Sequence, residues 1–337
     1  GTGWKARLAC PCIYCKPGTF TIGWRHGDDI IIVGEETDIN ADYEYLSKHM
    51  ILKKRAMLGW DDSDDKQINV LNRLITISRE NGNRTIEFEP DPRHAELIVR
   101  EFGLEGSRSK CVSTPGEKNN GYFDTTELDK SQATSFRSAT MRLQYLSQDA
   151  PHLQHAAQKL AKLMSRPTIG GNTRLKRVAR FLKGHGRFVQ VFKEQDPVSK
   201  LRVACDSDWA GDVTDRKSVS SVHSVHGGNM IKGSSTGQAV QALSSGEAEY
   251  VSCVKGASLG LGCASMCEDF GMPRPTIILE SDSAAAKGIC SRIGLGRIRH
   301  LSTTLLWLQG YIEKKLIEIH KVMGTENSAD LGTKDVG

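Results

Sequence analysis

The segment Leu201-Arg-Val-Ala-Cys-Asp-Ser-Asp-Trp-Ala-Gly-Asp212 ends a short apolar strand in three aspartates within seven positions. Carboxylates crowded together repel one another and take up protons unless they are well solvated or share a cation. The stretch therefore requires either an open turn or more groups that complete a cation site. Alternation with period two puts Asp206 and Asp208 on one face of the strand, and Leu201, Val203 and Cys205 on the other. A strand with one apolar face needs a sheet around it and a covering layer.

Further acids occur downstream at element ends. Glu247 falls in the first turn of a long helix expected over about 245 to 270, in "ALSSGEAEYVS", with Glu249 the less favoured acid of that pair. Asp282 follows an expected strand, "TIILES", and Asp330 opens a short terminal helix in "ENSADLGTK". Each also has a purely structural explanation: Ser244 and Glu247 fit a capping box, Asp282 can cap the helix it precedes, and Asp330 can complement a helix dipole. Between these acids the pattern gives a strand at 200 to 206, a hairpin turning at Gly227-Gly228, a short helix "SAAAKGICS", a helical stretch near 301 to 313 and a strand "KLIEIHKV". Strands followed by alternating helices and strands specify an α/β (α+β) class, a mixed sheet with helices packed on it.

The upstream part has a different character. "TFTIGWRHGDDIIIVGEE" reads as two strands joined through Arg25–Asp29, with helices after it in "DINADYEYLSKHMILKK" and in "RHAELIVREFG", stopped at Gly103. Residues 104 to 130, rich in Gly, Ser and Asn, read as a linker. Three helices follow between 131 and 190, separated near Pro151 and at Pro167–Gly171. That segment carries eleven Lys and Arg against one Asp, with Arg174, Lys176, Arg177, Arg180, Lys183 and Arg187 expected to face solvent. A merely solvated face would mix its signs, so the imbalance favours contact with a phosphate backbone.

With 337 residues, 38% hydrophobic and 25% charged, the chain is expected to be globular with two or three domains. No basic stretch leads into an apolar one near Gly1 and no run approaches the roughly 20 apolar residues of a membrane span, so the expectation is an internal piece of a longer, soluble, intracellular polypeptide without a membrane partner. Nine irregularly spaced cysteines read as free thiols of a reducing compartment. Cys10, Cys12 and Cys15 have no second ligand pair nearby, which favours thiols on or beside a strand over a zinc module.

In their order and spacing, "CDSDWAGDVTDRKSVSS", "ALSSGEAEYVS", "IILESDSAAA" and "ENSADLGTK" resemble the ribonuclease H domain of copia-type LTR retrotransposon Pol polyproteins. Upstream, "GWKARLACPCIYC", "HGDDIIIVG", "LNRLITISRENGNRTI" and the stretch from "SATMRLQYLSQDAP" to "LKRVARFLKG" resemble the reverse transcriptase of the same family, from late palm through thumb. The resemblance implies a partial palm over 1–105, a linker and basic helical thumb over 106–195, and a ribonuclease H-like domain over 196–337. It puts the family's four metal-binding acids on Asp206, Glu247, Asp282 and Asp330, with Asp208 the alternative at the first position. Two Mg²⁺ ions, for which Mn²⁺ can substitute, are implied to sit about 4 Å apart there and hydrolyse the RNA strand of an RNA:DNA hybrid. Ser234, Ser235, Thr236 and Gln238 become candidates for contacts with that duplex. Thr236-Gly237 stands where the family usually has two lysines. His320 lies ten residues before Asp330, the spacing of a product-release histidine in some ribonucleases H, although a structural role is favoured. Asp28 and Asp29 match the acidic pair of the palm hairpin, but His26-Gly27 replaces the family's Tyr-Val, and the strand with the third polymerase aspartate is expected before Gly1. The implied reading is an active hybrid nuclease with a vestigial polymerase part. It would be found in a cytoplasmic virus-like particle or the nucleus, in company with the rest of the Pol polyprotein. A degenerate remnant that binds nucleic acid without catalysis is the alternative.

Overall fold

The computed structural model describes residues 3–80, 82–106, 108–117, 124–212 and 215–335; positions 107 and 118–123 of the expected linker lie outside the described residues. The chain begins with an antiparallel sheet of β1 (Lys5–Ala6), β2 (Ile13–Lys16), β3 (Thr21–His26) and β4 (Asp29–Val33) in sequential order. Gly27, at φ +61°, lets β3 and β4 turn in two residues, so that His26 pairs with Asp29. Helix α1 (Glu36–Ser47) follows; it ends earlier than the polar pattern suggested, and residues 51–57 form no helix.

A second antiparallel sheet comprises β5 (Gln67–Val70), β6 (Arg73–Glu80) and β7 (Asn83–Glu89), and is completed by the distant β8 (Gln190–Lys193). Between β7 and β8 lie helices α2 (Arg93–Glu101), α3 (Lys130–Ser147), α4 (Gln154–Ala161) and α5 (Ile169–His185). They share one core in which Ile98, Phe136, Leu143, Leu153, Leu160, Leu175 and Val178 are almost fully buried. The boundary expected near residue 105 therefore falls inside a packed unit, because α2 contributes Ala95, Ile98 and Val99 to the helical core. Side chains set the helix starts: Asp129 accepts from Gln132 N at 2.9 Å, and Thr168 from Gly171 N at 3.1 Å.

The last part has the expected mixed sheet flanked by helices. Strands β9 (Lys200–Ser207), β10 (Val219–His226) and β11 (Asn229–Gly237) are antiparallel. After α6 (Ser245–Asp269), β12 (Thr276–Ser281) joins β9 in parallel; after α7 (Ala284–Cys290) and α8 (Trp307–Glu313), β13 (Ile317–Lys321) joins β12 in parallel. The spatial order is β11-β10-β9-β12-β13. Leu201, Val203 and Cys205 point into the core beneath α6 as alternation requires. Helix α6 comes very close to the sheet because it presents glycine there. A Cβ on Gly256 would stand 2.4 Å from Cys205 Sγ, and one on Gly260 2.8 Å from Ile277 Cγ2. That approach brings the first turns of α6 to the end of β9.

Candidate metal centre

Asp206 occupies the penultimate position of β9 and is 3% exposed. Its Oδ2 accepts a hydrogen bond from the Thr333 hydroxyl, and its backbone carbonyl accepts one from Ser252 of α6 at 2.7 Å. Asp282 follows the last residue of the parallel neighbour β12, so two strands deliver their carboxylates to the same end of the sheet. Ser283, next in sequence, caps α7 by accepting from Ala286 N at 3.1 Å, which leaves Asp282 free of the capping role that the sequence allowed.

The third acid is Glu249. Ligand atoms of Asp206, Glu249 and Asp282 all lie within 4.8 Å of one another, and this is the one group of three or more metal-capable side chains among the described residues. Glu247, expected at this place, points elsewhere. Its Oε2 accepts from Leu243 N at 2.8 Å and lies 2.8 Å from His300 Nε2, while Ser244 Oγ accepts from Glu247 N at 3.2 Å. Of the capping box that the sequence allowed, the Ser244 half forms, while Glu247 returns its bond to Leu243 N. Two residues further along a helix the side chain is turned by about 200°, and that rotation aims Glu249 at the sheet.

Burial dominates the electrostatics. The carboxyl of Glu249 is pushed up to about 9, first by burial, then by the charges of Asp206 and Asp282. Asp206 is also raised, chiefly by burial; the Thr333 hydroxyl pulls the other way, and the neighbouring Asp330 and Asp282 add to the rise. Glu249 Oε2 is buried with no hydrogen-bond partner. An orphaned carboxylate oxygen beside two other carboxylates fits a hard divalent cation, which takes oxygen ligands.

Asp330 belongs to a 3-10 turn, Ser328–Gly332, at the edge of this triad. It is ion-paired with Lys334, and its charge is felt by Asp206. Asp208 lies one residue beyond the end of β9 at Ser207 and is not among the three gathered acids. Beyond that point the chain turns, and Asp208 Oδ1 accepts from Val219 N.

Other expected contact residues are engaged internally. Gln238 is 6% exposed and donates to Ser207 Oγ, Ser220 Oγ and Ala248 O at 3.1, 2.9 and 2.8 Å, tying β9, β10 and α6 together. Ser235 is buried and donates to Gly332 O at 2.5 Å. Both are therefore corrected from duplex-contact candidates to internal supports; Ser234 is half-buried, and Thr236 accepts from Lys255. Of the six basic residues, three are held by acceptors from distant segments. Arg177 pairs with Glu117 at 2.5 Å, Lys183 donates to Gly106 O and Ser109 O, and Arg187 pairs with Glu89 at 2.9 Å. Arg174 is half-buried, whereas Lys176 and Arg180 are exposed as expected.

Asp28 and Asp29 are exposed at the β3–β4 turn, and among the described residues no third ligand gathers with them. Cys10 and Cys12 likewise join no ligand group, while Cys15 on β2 donates to Asp269 O at 2.9 Å. His320 sits in β13, exposed and 3.0 Å from Glu318. No helix among the described residues is long and apolar enough to cross a membrane.

No family model matches the sequence. The chain is 24% identical over 339 residues to the retrovirus-related Pol polyprotein from transposon TNT 1-94 of Nicotiana tabacum, an alignment that covers 97% of this chain and 24% of that protein. It is 28% identical over 313 residues to the corresponding polyprotein from transposon RE2 of Arabidopsis thaliana, covering 91% of this chain and 20% of that one. The chain thus spans a quarter or less of the length of these curated relatives. Among solved structures, LC11-RNase H1 in complex with RNA/DNA hybrid aligns with 40% of this chain and 94% of its own, at 14% identity and a TM-score of 0.28. Over nearly all of its length, the chain is a relative of the retrovirus-related Pol polyproteins of plant transposons, as a copia-type Pol fragment would be.

Proposed function

We propose that the C-terminal unit is a divalent-metal nuclease that cleaves the RNA strand of RNA:DNA hybrids endonucleolytically. The observation that carries this reading is the convergence of Asp206, Glu249 and Asp282, from two parallel strands and a helix, around a buried carboxylate oxygen that has no protein partner. These three residues would hold the metal, with Asp330 as a fourth carboxylate at the edge. Bound there, Mg²⁺ supplies positive charge to the scissile phosphodiester and to its attacking water.

The protein's own contributions follow from the contacts. Thr333 fixes one oxygen of Asp206 and so limits the rotation of its carboxylate. Ser252 ties the Asp206 backbone to α6, so the strand and the helix that carry two of the acids move as one. Glu247 and His300 anchor the first turn of α6, which sets the direction of Glu249. The exposed Lys176 and Arg180 offer charge to the phosphate backbone. The N-terminal part is proposed to lack polymerase activity, since Asp28 and Asp29 gather no further ligand among the described residues.

The test is cleavage of a hybrid with a labelled RNA strand by the full chain with Mg²⁺ or Mn²⁺, beside Glu249→Gln and Asp282→Asn. Cleavage that both substitutions abolish supports the proposal. Salt-sensitive binding of the hybrid without cleavage by the unsubstituted chain would instead identify a degenerate remnant.

A further inference from the structure

The segment that brings Asp330, Thr333 and Lys334 to the centre is a five-residue 3-10 turn, Ser328–Gly332, and its continuation. Such a turn has little stability of its own, so the places of Asp330 and Thr333 depend on what fixes its two ends. The first end is held within the sheet unit: Asn327 is buried and donates to Cys205 O at 2.9 Å. The second end is held by the helical unit. Asp335 keeps only 10% side-chain exposure, 3.5 Å from His155 Nε2 and 3.4 Å from Lys159 Nζ, both on α4. It also packs on the chain before α3 so closely that a Cβ on Gly116 would stand 2.1 Å from its Oδ1.

The same helix holds the other chain segment that leaves the centre. One turn beyond Lys159, Lys162 pairs at 2.7 Å with Asp212, in the loop that follows Asp206. At the start of α4, Gln154 donates to Gly233 O of β11 at 3.1 Å.

We infer that α4 and the Gly116 turn clamp the C-terminal segment, and that Asp335, His155 and Lys159 are positioning residues which hold Thr333 against Asp206 and Asp330 beside it. The helical unit is then part of the scaffold of the centre as well as a surface for nucleic acid. This inference rests on the proposed reading of the centre as a metal site. None of the three residues touches the carboxylate triad; they act through the segment that ends in Asp335.

Two variants of the full chain, Asp335→Asn and Lys159→Met, test it by hydrogen exchange and by calorimetric titration with Mg²⁺. The expected result is amide exchange at residues 329–333 faster by at least about tenfold, with α6 and β12 unchanged, and Mg²⁺ affinity lower by about tenfold, the scale seen when groups that orient metal ligands are removed. Lys159→Arg retains both properties. Unaltered exchange at 329–333 in both variants overturns the inference, as does a loss of protection spread equally through α6 and β12, which would make Asp335 a support of the whole fold. If the unsubstituted chain binds no Mg²⁺, the reading of the centre fails, while the exchange at 329–333 still decides the clamp.

Discussion

Glu247 and Glu249 stand two residues apart on α6 and serve different neighbours: the first lies 2.8 Å from His300, and the second meets Asp206 and Asp282. On the proposed reading, their division of labour separates holding the helix from holding a cation. It predicts opposite phenotypes for two chemically identical substitutions. Glu249→Gln is expected to lower hybrid cleavage by at least about a hundredfold with unchanged thermal stability or a small gain, since it relieves a crowded buried carboxylate. Glu247→Gln is expected to keep cleavage within about fivefold while costing about 1 kcal/mol through the weakened cap. Paired denaturation and single-turnover measurements decide between them, and equal loss of cleavage in both would remove the distinction.

Proton release should accompany metal binding. The folded, metal-free protein keeps a proton on Glu249 up to about pH 9, whereas the unfolded chain releases it near its ordinary 4.5. The folded state therefore binds more protons throughout that window, and metal-free stability falls as pH rises through it. Metal must displace this proton, so calorimetry at pH 7 in buffers of different ionisation enthalpy is expected to give about one proton released per protein. Glu249→Gln should abolish both the release and that part of the slope.

Acid should destabilise the molecule from the histidine side, a dependence opposite in sign to that of Glu249. Burial lowers His155 to about 4, with Lys159 adding to the drop and Asp335 opposing it; burial alone lowers His223, 3.3 Å from Ser328 Oγ, to about 4. Above pH 6.5 both are neutral whether the chain is folded or not. Below it the unfolded chain takes up protons that the folded one refuses, and stability drops progressively until about pH 4, by at most about 3 kcal/mol for each residue. Urea unfolding at pH 7.5 and at pH 5 measures this, and His223→Gln should flatten the profile.

The glycine face of α6 offers a mechanical test. Gly256→Ala drives a methyl group into Cys205 Sγ, and an overpacked core of this kind costs about 1–3 kcal/mol. The same displacement lifts α6 from β9, so Mg²⁺ affinity is expected to fall although the substituted residue lies two turns from Glu249. Unchanged unfolding and titration curves would contradict the close approach.

Much of the sheet unit was legible in the sequence because its elements are short, well punctuated and strongly patterned. Strand β9, the Gly227-Gly228 hairpin, α6, β12 and β13 stand where period, glycine and caps put them. Asp206 and Asp282 were legible as acids at strand ends. Which of Glu247 and Glu249 gathers with Asp206 and Asp282 was not, because it depends on how α6 meets the sheet, and the sequence pattern favoured Glu247. Burial of Ser235 and Gln238 was equally hidden, since polar residues near the end of a strand look solvated until a neighbouring turn and helix accept their hydrogen bonds. The ion pairs of the basic helices were hidden for a related reason: the partners of Arg177 and Arg187 are Glu117 and Glu89, sixty and ninety-eight residues away in sequence. The joining of β8 to β7 is likewise a long-range pairing that no local pattern announces.

The margins of the five-stranded sheet are β11 and β13. Along β13 the side chains of Glu318, His320 and Lys321 are exposed, and a charged border discourages strands of other molecules from adding on. Strand β11 is shielded instead by α4, which lies over it. A sheet guarded on one side by its own charges and on the other by a borrowed helix would become prone to self-association once that helix were cut away, so solubility as well as chemistry links the two units.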